Sequence, residues 1–430
     1  MGELKMNNIY HITKHIIIII SFFLLSLNCY SEEALFTTNG HIKFQPSLEK
    51  RLQDYRFDSS ELISSEILDI RLNTELRFQE FRFIMQGESI TIAGENISEG
   101  APSTTILPGA ASTTIINDDT RLFNLSSYVI NTSKLMSVAR IDRAYFEYAS
   151  EKIVFRFGRQ ALSIGNGIVF QAIDLFAPFS PVEIDRDYKT GQDLLYIESL
   201  LTDELSVEWI IVPRRENQEL HFDAGSYGAV LTWQAPEGSL TLYGLSAWHW
   251  GEWNYGLGSS TSISESVIRF DILITQTESA QWRQTLLLNY DTSWTLFGMN
   301  TYGFIEYYHN GFGSEHRLLS DISNETRDRL IRGEIYVTGR DFLSAGVRVE
   351  LRPLIHLSLS EIYSLRDESA FHQVQLQYDI LQDANLSLGL NLPMGGRGTE
   401  FGGRGVVTER GETAYLRPSK SAYLRMSFFF

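Results

Sequence analysis

The chain has 430 residues, of which 43% are hydrophobic and 12% aromatic, with a formal net charge of -17 and a single cysteine. The acidic balance argues against nucleic acid as a partner, and one thiol excludes a disulfide framework or a cysteine metal site. A mean hydropathy of -0.12 is that of a soluble protein, so any apolar surface is spread thinly along the sequence.

The only long apolar run covers residues 16–27. Lys5, Lys14 and His15 precede it, and Asn28, Cys29, Tyr30 and Ser31 follow. This is the tripartite layout of a secretory signal, and it is short for a membrane-spanning helix. Cleavage is expected near Ser31, leaving residues 1–31 as a leader and 32–430 as the mature chain. Cys29 falls in the leader, where Ser26, Leu27 and Asn28 make a poor lipoprotein signal.

Beyond residue 40 apolar residues alternate with polar ones instead of recurring at a helical period. Leu68, Ile70, Leu72, Leu76 and Phe78 oppose Asp69, Arg71, Asn73, Glu75 and Arg77; Ile153, Phe155 and Phe157 oppose Arg156 and Gln160. The same division is read in Ile331, Ile335 and Val337 against Arg332, Glu334 and Tyr336. It recurs in Leu343 to Leu351, in Val374 to Ile380 and in Leu386 to Leu392. Strands of about ten residues suit a tilted bilayer crossing, and aromatic clusters such as Trp248, Trp250 and Trp253 suit its interfaces. Short turns are expected at Ser150 and Glu151, Thr202 and Asp203, Gly339 and Arg340, and Arg352 and Pro353. Long polar stretches cover residues 87–119, 162–193, 311–326 and 393–413. The sequence thus predicts an all-β fold, a transmembrane antiparallel β-barrel of a bacterial outer membrane. It has about 16 to 18 strands, an even number as such barrels have, with 18 taken as the expectation, and with short periplasmic turns and long extracellular loops.

Residues 157–193 break the alternation. Gly158, Gly165, Gly167 and Gly191 permit tight turns, Pro178 and Pro181 fix bends, and Asp174, Asp185, Arg186, Asp187, Lys189 and Asp193 mix charges. Folded inward, residues 162–193 would constrict the lumen and set these groups against Arg143, Arg156 and Arg159, a transverse field that filters polar solutes. Laid outside, the same charges would be solvated or would form structural ion pairs. Arginines at 71, 77, 143, 156, 332, 348 and 352 are expected on the inner face, interleaved with Asp69, Glu75, Glu147, Glu334 and Glu350. Interleaved signs are what wet neighbouring strands need, so they assign no charge preference.

The last strand sets Leu424, Met426, Phe428 and the terminal Phe430 on one face, and resembles the C-terminal signal by which outer-membrane barrels are handed to their assembly machinery. It is expected to pair with the first strand. The run Gly158, Arg159, Gln160, followed by Asp174, Phe176, Pro178 and Phe179, resembles porin-like and alginate-export-like outer-membrane proteins. That resemblance implies a passive or export channel narrowed by a loop. The leading reading is a channel for small polar or sugar-like solutes, with membrane lipid and the assembly machinery as partners, no cofactor and no catalytic residues. Homo-oligomers are compatible with it, since an apolar barrel face serves lipid or a second copy. One alternative is a closed barrel serving a secretion or electron-transfer partner. Another is an outer-membrane hydrolase using paired carboxylates such as Asp118 and Asp119, although no histidine stands in a nucleophile motif.

Overall fold

The computed structural model of the protein describes residues 34–51, 61–94, 118–176, 189–407 and 411–430; the expected leader and Asp185, Arg186 and Asp187 lie outside these ranges. The first strands are β1 (Ala34–Arg51), β2 (Glu61–Phe78), β3 (Phe81–Gly94), the short β4 (Ser126–Asn131), β5 (Leu135–Ala149) and β6 (Ile153–Gln160). Then come β7 (Gln192–Leu200), β8 (Leu205–Glu216), β9 (Glu219–Gln234), β10 (Leu240–His249), β11 (Glu252–Ile263) and β12 (Ser266–Gln276). The remainder are β13 (Trp282–Leu296), β14 (Met299–His309), β15 (Asp341–Arg352), β16 (Ile355–Ser364), β17 (Ser369–Leu381), β18 (Ala384–Met394) and β21 (Lys420–Phe429). The pair β19 (Arg404–Val407) and β20 (Thr413–Leu416) forms a separate hairpin in the last long loop.

Each strand is antiparallel to its neighbour, and β21 bonds to both β18 and β1, so the wall closes. Eighteen strands make the barrel, while β4 lies beside the upper part of β5, above the edge that β6 occupies lower down. At the seam, Gly40 N donates to Phe430 O at 2.9 Å and Phe430 N to Gly40 O at 3.1 Å.

Alternation places the two faces as their chemistry requires. Ile210 is fully buried inside the wall, whereas its neighbours Trp209 and Ile211 are 51% and 40% exposed outside it. Ile42, Phe44 and Leu48 of β1, and Leu424, Met426, Phe428 and Phe430 at the end of the chain, lie exposed on that outer apolar surface. Short connections at 79–80, 150–152, 297–298 and 382–383 lie at the end that holds the termini, and the longer connections, described over 118–134, 161–176, 310–340, 395–407 and 411–419, leave the strands at the other. Phe297 and Gly298 both have positive φ, 51° and 80°, the backbone of a type I′ hairpin turn.

One expected strand does not form. Residues 324–332 form α1 (Asn324–Arg332), whose N-cap Ser323 accepts from Thr326 N and whose C-cap Gly333 adopts φ 72°. The alternation read over Ile331 to Val337 therefore straddles a helix end and an extended return, and Gly339 with Arg340 leads into β15 instead of turning between strands. Strand β3 also runs on to Gly94, beyond the loop start expected at residue 87.

A Cβ on Gly40 would sit 2.2 Å from Arg71 O and 2.8 Å from the Phe430 ring, so backbone at the seam would have to shift. Gly40→Val is expected to lower the yield of folded barrel, read as the fast-migrating band in unheated detergent gels. Gly396→Ala, with nothing within 4 Å of the new atom, serves as the neutral control. Equal folded yields for both would remove the seam from any role in closure.

Candidate functional site: the lumen and its inner loop

Residues 161–176 cross the barrel interior. Ile164, Ile173, Leu175 and Phe176 pack against Leu194, Ile210, Val212 and Leu245 on the inner faces of β7, β8 and β10. Val169, Phe170 and Ala172 continue against Leu287, Tyr308, Phe342 and Phe371 of β13, β14, β15 and β17. Phe170 stacks on Tyr308 with ring centroids 4.3 Å apart and planes 4° apart. Each fully buried side chain of this size contributes roughly 1.5–3 kcal/mol relative to a wet one, so the apolar contacts hold the loop firmly.

Two wall carboxylates fix its course. Glu306 of β14 accepts the backbone N–H groups of Ile168, Val169 and Phe170 at 2.7, 3.1 and 2.8 Å. Asp271 of β12 accepts from Asn166 N at 2.8 Å and from the Tyr243 hydroxyl at 2.5 Å. The glycines fit the same path: Gly165 has φ 100°, and a Cβ on Gly167 would lie 1.6 Å from Phe170 O. Neither carboxylate was singled out in the sequence, where Glu306 is a lone acid within the aromatic run Tyr302 to Tyr308.

The opposite wall, β2 to β6, carries a lattice of charge. A register shift between Gln86 and Gly87 brings both Asp142 and Arg143 of β5 into it. Arg71 lies 2.7 Å from Asp142 and 3.7 Å from Glu88, and Arg143 lies 3.0 Å from Asp142. Arg140 donates to Glu88 at 2.6 Å, while Arg82 and Arg156 share Glu147 at 2.5 and 2.6 Å. Five guanidinium groups thus meet three carboxylates. Arg82 and Arg156 are the open members, with side chains 29% and 31% exposed. Glu75 adds a weaker contact to Arg82 at 3.8 Å. Beyond Arg156, which sits 5.2 Å over the Tyr196 ring, the Tyr196 hydroxyl lies 3.1 Å from both Glu198 and Glu208.

The remaining predicted site residues are held closer to the wall. Arg159 Nε lies 2.7 Å from Asp193, and the segment 118–125 covers the pair, with Asp118 3.1 Å from Arg159 and Phe123 N donating to Asp193 at 2.8 Å. Asp193 alternates with Leu194, which faces the inner loop, so this pair sits on the other side of the sheet. Burial alone would raise the Asp118 carboxyl, but Arg159 and Arg121 outweigh it and hold it below the usual range. Asp174 pairs with Lys189, and Lys189 also lies 3.1 Å from Ser163, so the two limbs of the loop are tied together. Burial lowers the Lys189 ammonium, against the pull of Asp174. Arg143 donates to the carbonyl of Lys189, joining loop to lattice.

No family model matches the chain, and no curated protein matches it by sequence. Solved structures do. A BenF-like porin from Pseudomonas fluorescens Pf-5 aligns with a TM-score of 0.51 at 10% identity, covering 94% of this chain and 100% of that one. The chain has the fold of an outer-membrane porin. OccK2 (OpdF) from Pseudomonas aeruginosa aligns at 0.50, with 8% identity over 92% of this chain and 97% of that one. A closed wall with an apolar outer face is also a lipid-facing surface. The chain therefore carries the features of a membrane-spanning barrel.

At the loop end of this porin barrel, α1 is latched to the wall. Arg329 pairs with Glu252 and lies 3.6 Å over the Phe312 ring, Arg332 lies 4.5 Å over Trp250, and Glu334 lies 3.3 Å from His249. His249 Nδ1 is in turn 2.7 Å from Ser226 Oγ. This Ser–His–Glu string is structural. Ser226 has no exposed surface and its oxygen accepts from Arg214, so no substrate reaches it. Among the described residues no group of three His, Cys, Asp or Glu side chains is placed to hold a metal.

Removing the carboxylate in Glu306→Ala leaves three loop amides without their acceptor, at about 1–3 kcal/mol each. A maleimide is expected to label Ala172→Cys at least tenfold faster in that background; an unchanged rate would mean that apolar packing alone holds the loop. Burial would raise the Glu334 carboxyl, but His249, Arg329 and Arg332 outweigh it and bring it from its ordinary 4.5 to about 2. A depressed carboxylate contributes stability that is fully present above 4.5 and fades as pH falls toward 2. A spin label at Arg327→Cys should therefore report a constant mobility of α1 from neutral pH down to about 5 and a rise below it. Glu334→Gln should be mobile already at neutral pH, and a label indifferent to both would exclude the latch.

Proposed function

We propose that this porin barrel is a passive channel for small polar solutes and that its open wall favours solutes bearing a carboxylate or phosphate. One observation carries the reading. Among the described residues the inner loop packs on the apolar half of the interior from β7 to β17, and on the charged half Arg82 and Arg156 keep exposed side chains. A solute passing the loop then meets a wall that presents the partly exposed guanidinium groups of Arg82 and Arg156, while the Glu147 carboxylate they share is buried between them. Of the residues expected to form the constriction, Arg143 and Arg156 belong to the charged wall and Asp174 with Lys189 ties the limbs of the loop, whereas Arg159 and Asp193 pair on the other side of the sheet and take no part in this reading.

The closed-barrel alternative draws on Val337 and Phe401, which pack beside the inner loop from the long loops at the mouth. A sugar-like solute moving outward, as the alginate-export-like resemblance implies, would use the same wall in the other direction. Planar-bilayer recording separates these readings. The barrel is expected to conduct, with an anion-leaning reversal potential in a potassium chloride gradient. Arg82→Gln with Arg156→Gln should shift that potential toward cations, since each charge supplies about 1 kcal/mol at roughly 8 Å and an effective dielectric of about 40. No current from folded protein would favour the closed barrel, and a current whose selectivity ignores both substitutions would remove the arginine wall from the proposal.

A further inference from the structure

The outer surface carries a second charged feature, at the top of the seam that closes the barrel. Lys50 of β1 and Lys420 of β21 are direct cross-strand partners. Both share the outward face of Ile42, Phe44 and Leu48 and of Leu424, Met426 and Phe428, and both are exposed. Like charges set directly opposite on a sheet repel. Among the described residues neither lysine has a salt bridge or hydrogen bond that relieves this.

Their height is informative. From Phe428, near the end with the short turns, to Lys420 the strand rises about 3.3 Å per residue at a tilt of about 40°, or roughly 20 Å along the barrel axis. An outer apolar band is about 25 Å tall. The two ammonium groups therefore stand where lipid tails give way to headgroups on the loop side of the membrane.

A notch opens beside them. Strands β18 and β21 pair only as far as Asn391 with Ser421, and above that point they separate. The gap is a cavity of about 230 Å³ bounded by Pro393, Met394, Phe401, Arg417, Pro418 and Lys420. Arg417 is fixed by its Nε, which donates to Gly402 O at 3.2 Å. The lining is mixed, with Pro393, Met394 and Pro418 beside the cations Arg417 and Lys420, and Lys50 is a third cation from the adjoining strand.

We propose that this notch holds the phosphorylated headgroup of an outer-leaflet lipid, with a phosphate bridging Lys420 and Lys50 within reach of Arg417 and the lipid's apolar part against Met394. The bound anion converts the repelling pair into a clamp across the seam. The inference goes beyond the channel reading and does not depend on it.

The test uses the folded full-length mature barrel. After incubation in mixed micelles containing bisphosphorylated lipid A, native mass spectrometry should find one lipid A retained, and none with dephosphorylated lipid A or phosphatidylcholine. The triple variant Lys50→Gln, Lys420→Gln, Arg417→Gln should bind at least tenfold more weakly, consistent with a contribution from each cation near a lipid surface. Lys152→Gln, in a turn at the opposite end, should bind as the parent does. Inorganic phosphate should not displace the lipid. Equal retention by the triple variant, equal retention of dephosphorylated lipid, or displacement by free phosphate would each overturn the proposal. Migration of the unheated protein on gels verifies that the variants are folded, so a loss of binding is not a loss of the barrel.

Discussion

Every backbone N–H and C=O that enters lipid must find its partner inside the protein, because hydrocarbon offers none and an unpaired group costs several kcal/mol. A sheet can meet that demand only by having no edge. Here the requirement comes to rest on β21, which bonds on one side to β18 and on the other to β1, and on the reciprocal pair between Gly40 and Phe430. The rest of the molecule follows from that closure. Eighteen strands enclose more space than the wall's own side chains can fill, so something else must occupy the interior or water will.

The inner loop is what occupies it, and its construction reflects the same constraint in a second place. A loop taken from the surface into a dry interior brings its own amides with it, and these too need acceptors. Glu306 supplies three bonds from one side chain and Asp271 supplies those around Asn166. The apolar contacts of Phe170 and Ile173 provide most of the attraction, but they are nondirectional. The carboxylates fix which residue of the loop stands opposite which strand, and Gly165 and Gly167 allow the backbone to approach closely enough to be held.

How much of this was legible depended on which physical signal carried it. Two-residue alternation wrote the wall plainly: Leu68 to Phe78 lies in β2 as read, and the outward row from Leu424 to Phe430 is where its spacing placed it. The same signal bounded the strand number at 16 to 18, and the rule that such barrels are even left both ends of that range open. Alternation over only seven residues misled at Ile331 to Val337, where the stronger information was Ser323 and Gly333, a helix cap at each end. At the site, Arg143 and Arg156 were visible as inner-face residues, while the partner of each depended on register, which the bulge at Gln86 and Gly87 resets. Asp193 carried its own clue in its opposition to Leu194. Glu306 could have been suspected, since a carboxylate amid aromatics on an inward position needs donors, but nothing in the sequence says that those donors lie more than a hundred residues upstream.

The two halves of the interior also explain one another. On the dry side the few charges, Glu306 and Asp271, are held by amides and a hydroxyl; on the other side charges are dense because each is held by others. Glu147 lies between Arg82 and Arg156, and Asp142 between Arg71 and Arg143. Removing any one of these groups would leave its neighbours poorly compensated, so the lattice acts as a unit and keeps the guanidinium planes in fixed orientation. Paired charges usually add little to stability where water reaches them, and replacing them with apolar side chains would often be tolerated in a core. Their concentration on β2 to β6 is therefore better explained by the part of that wall where Arg82 and Arg156 meet water than by what the fold needs to stand.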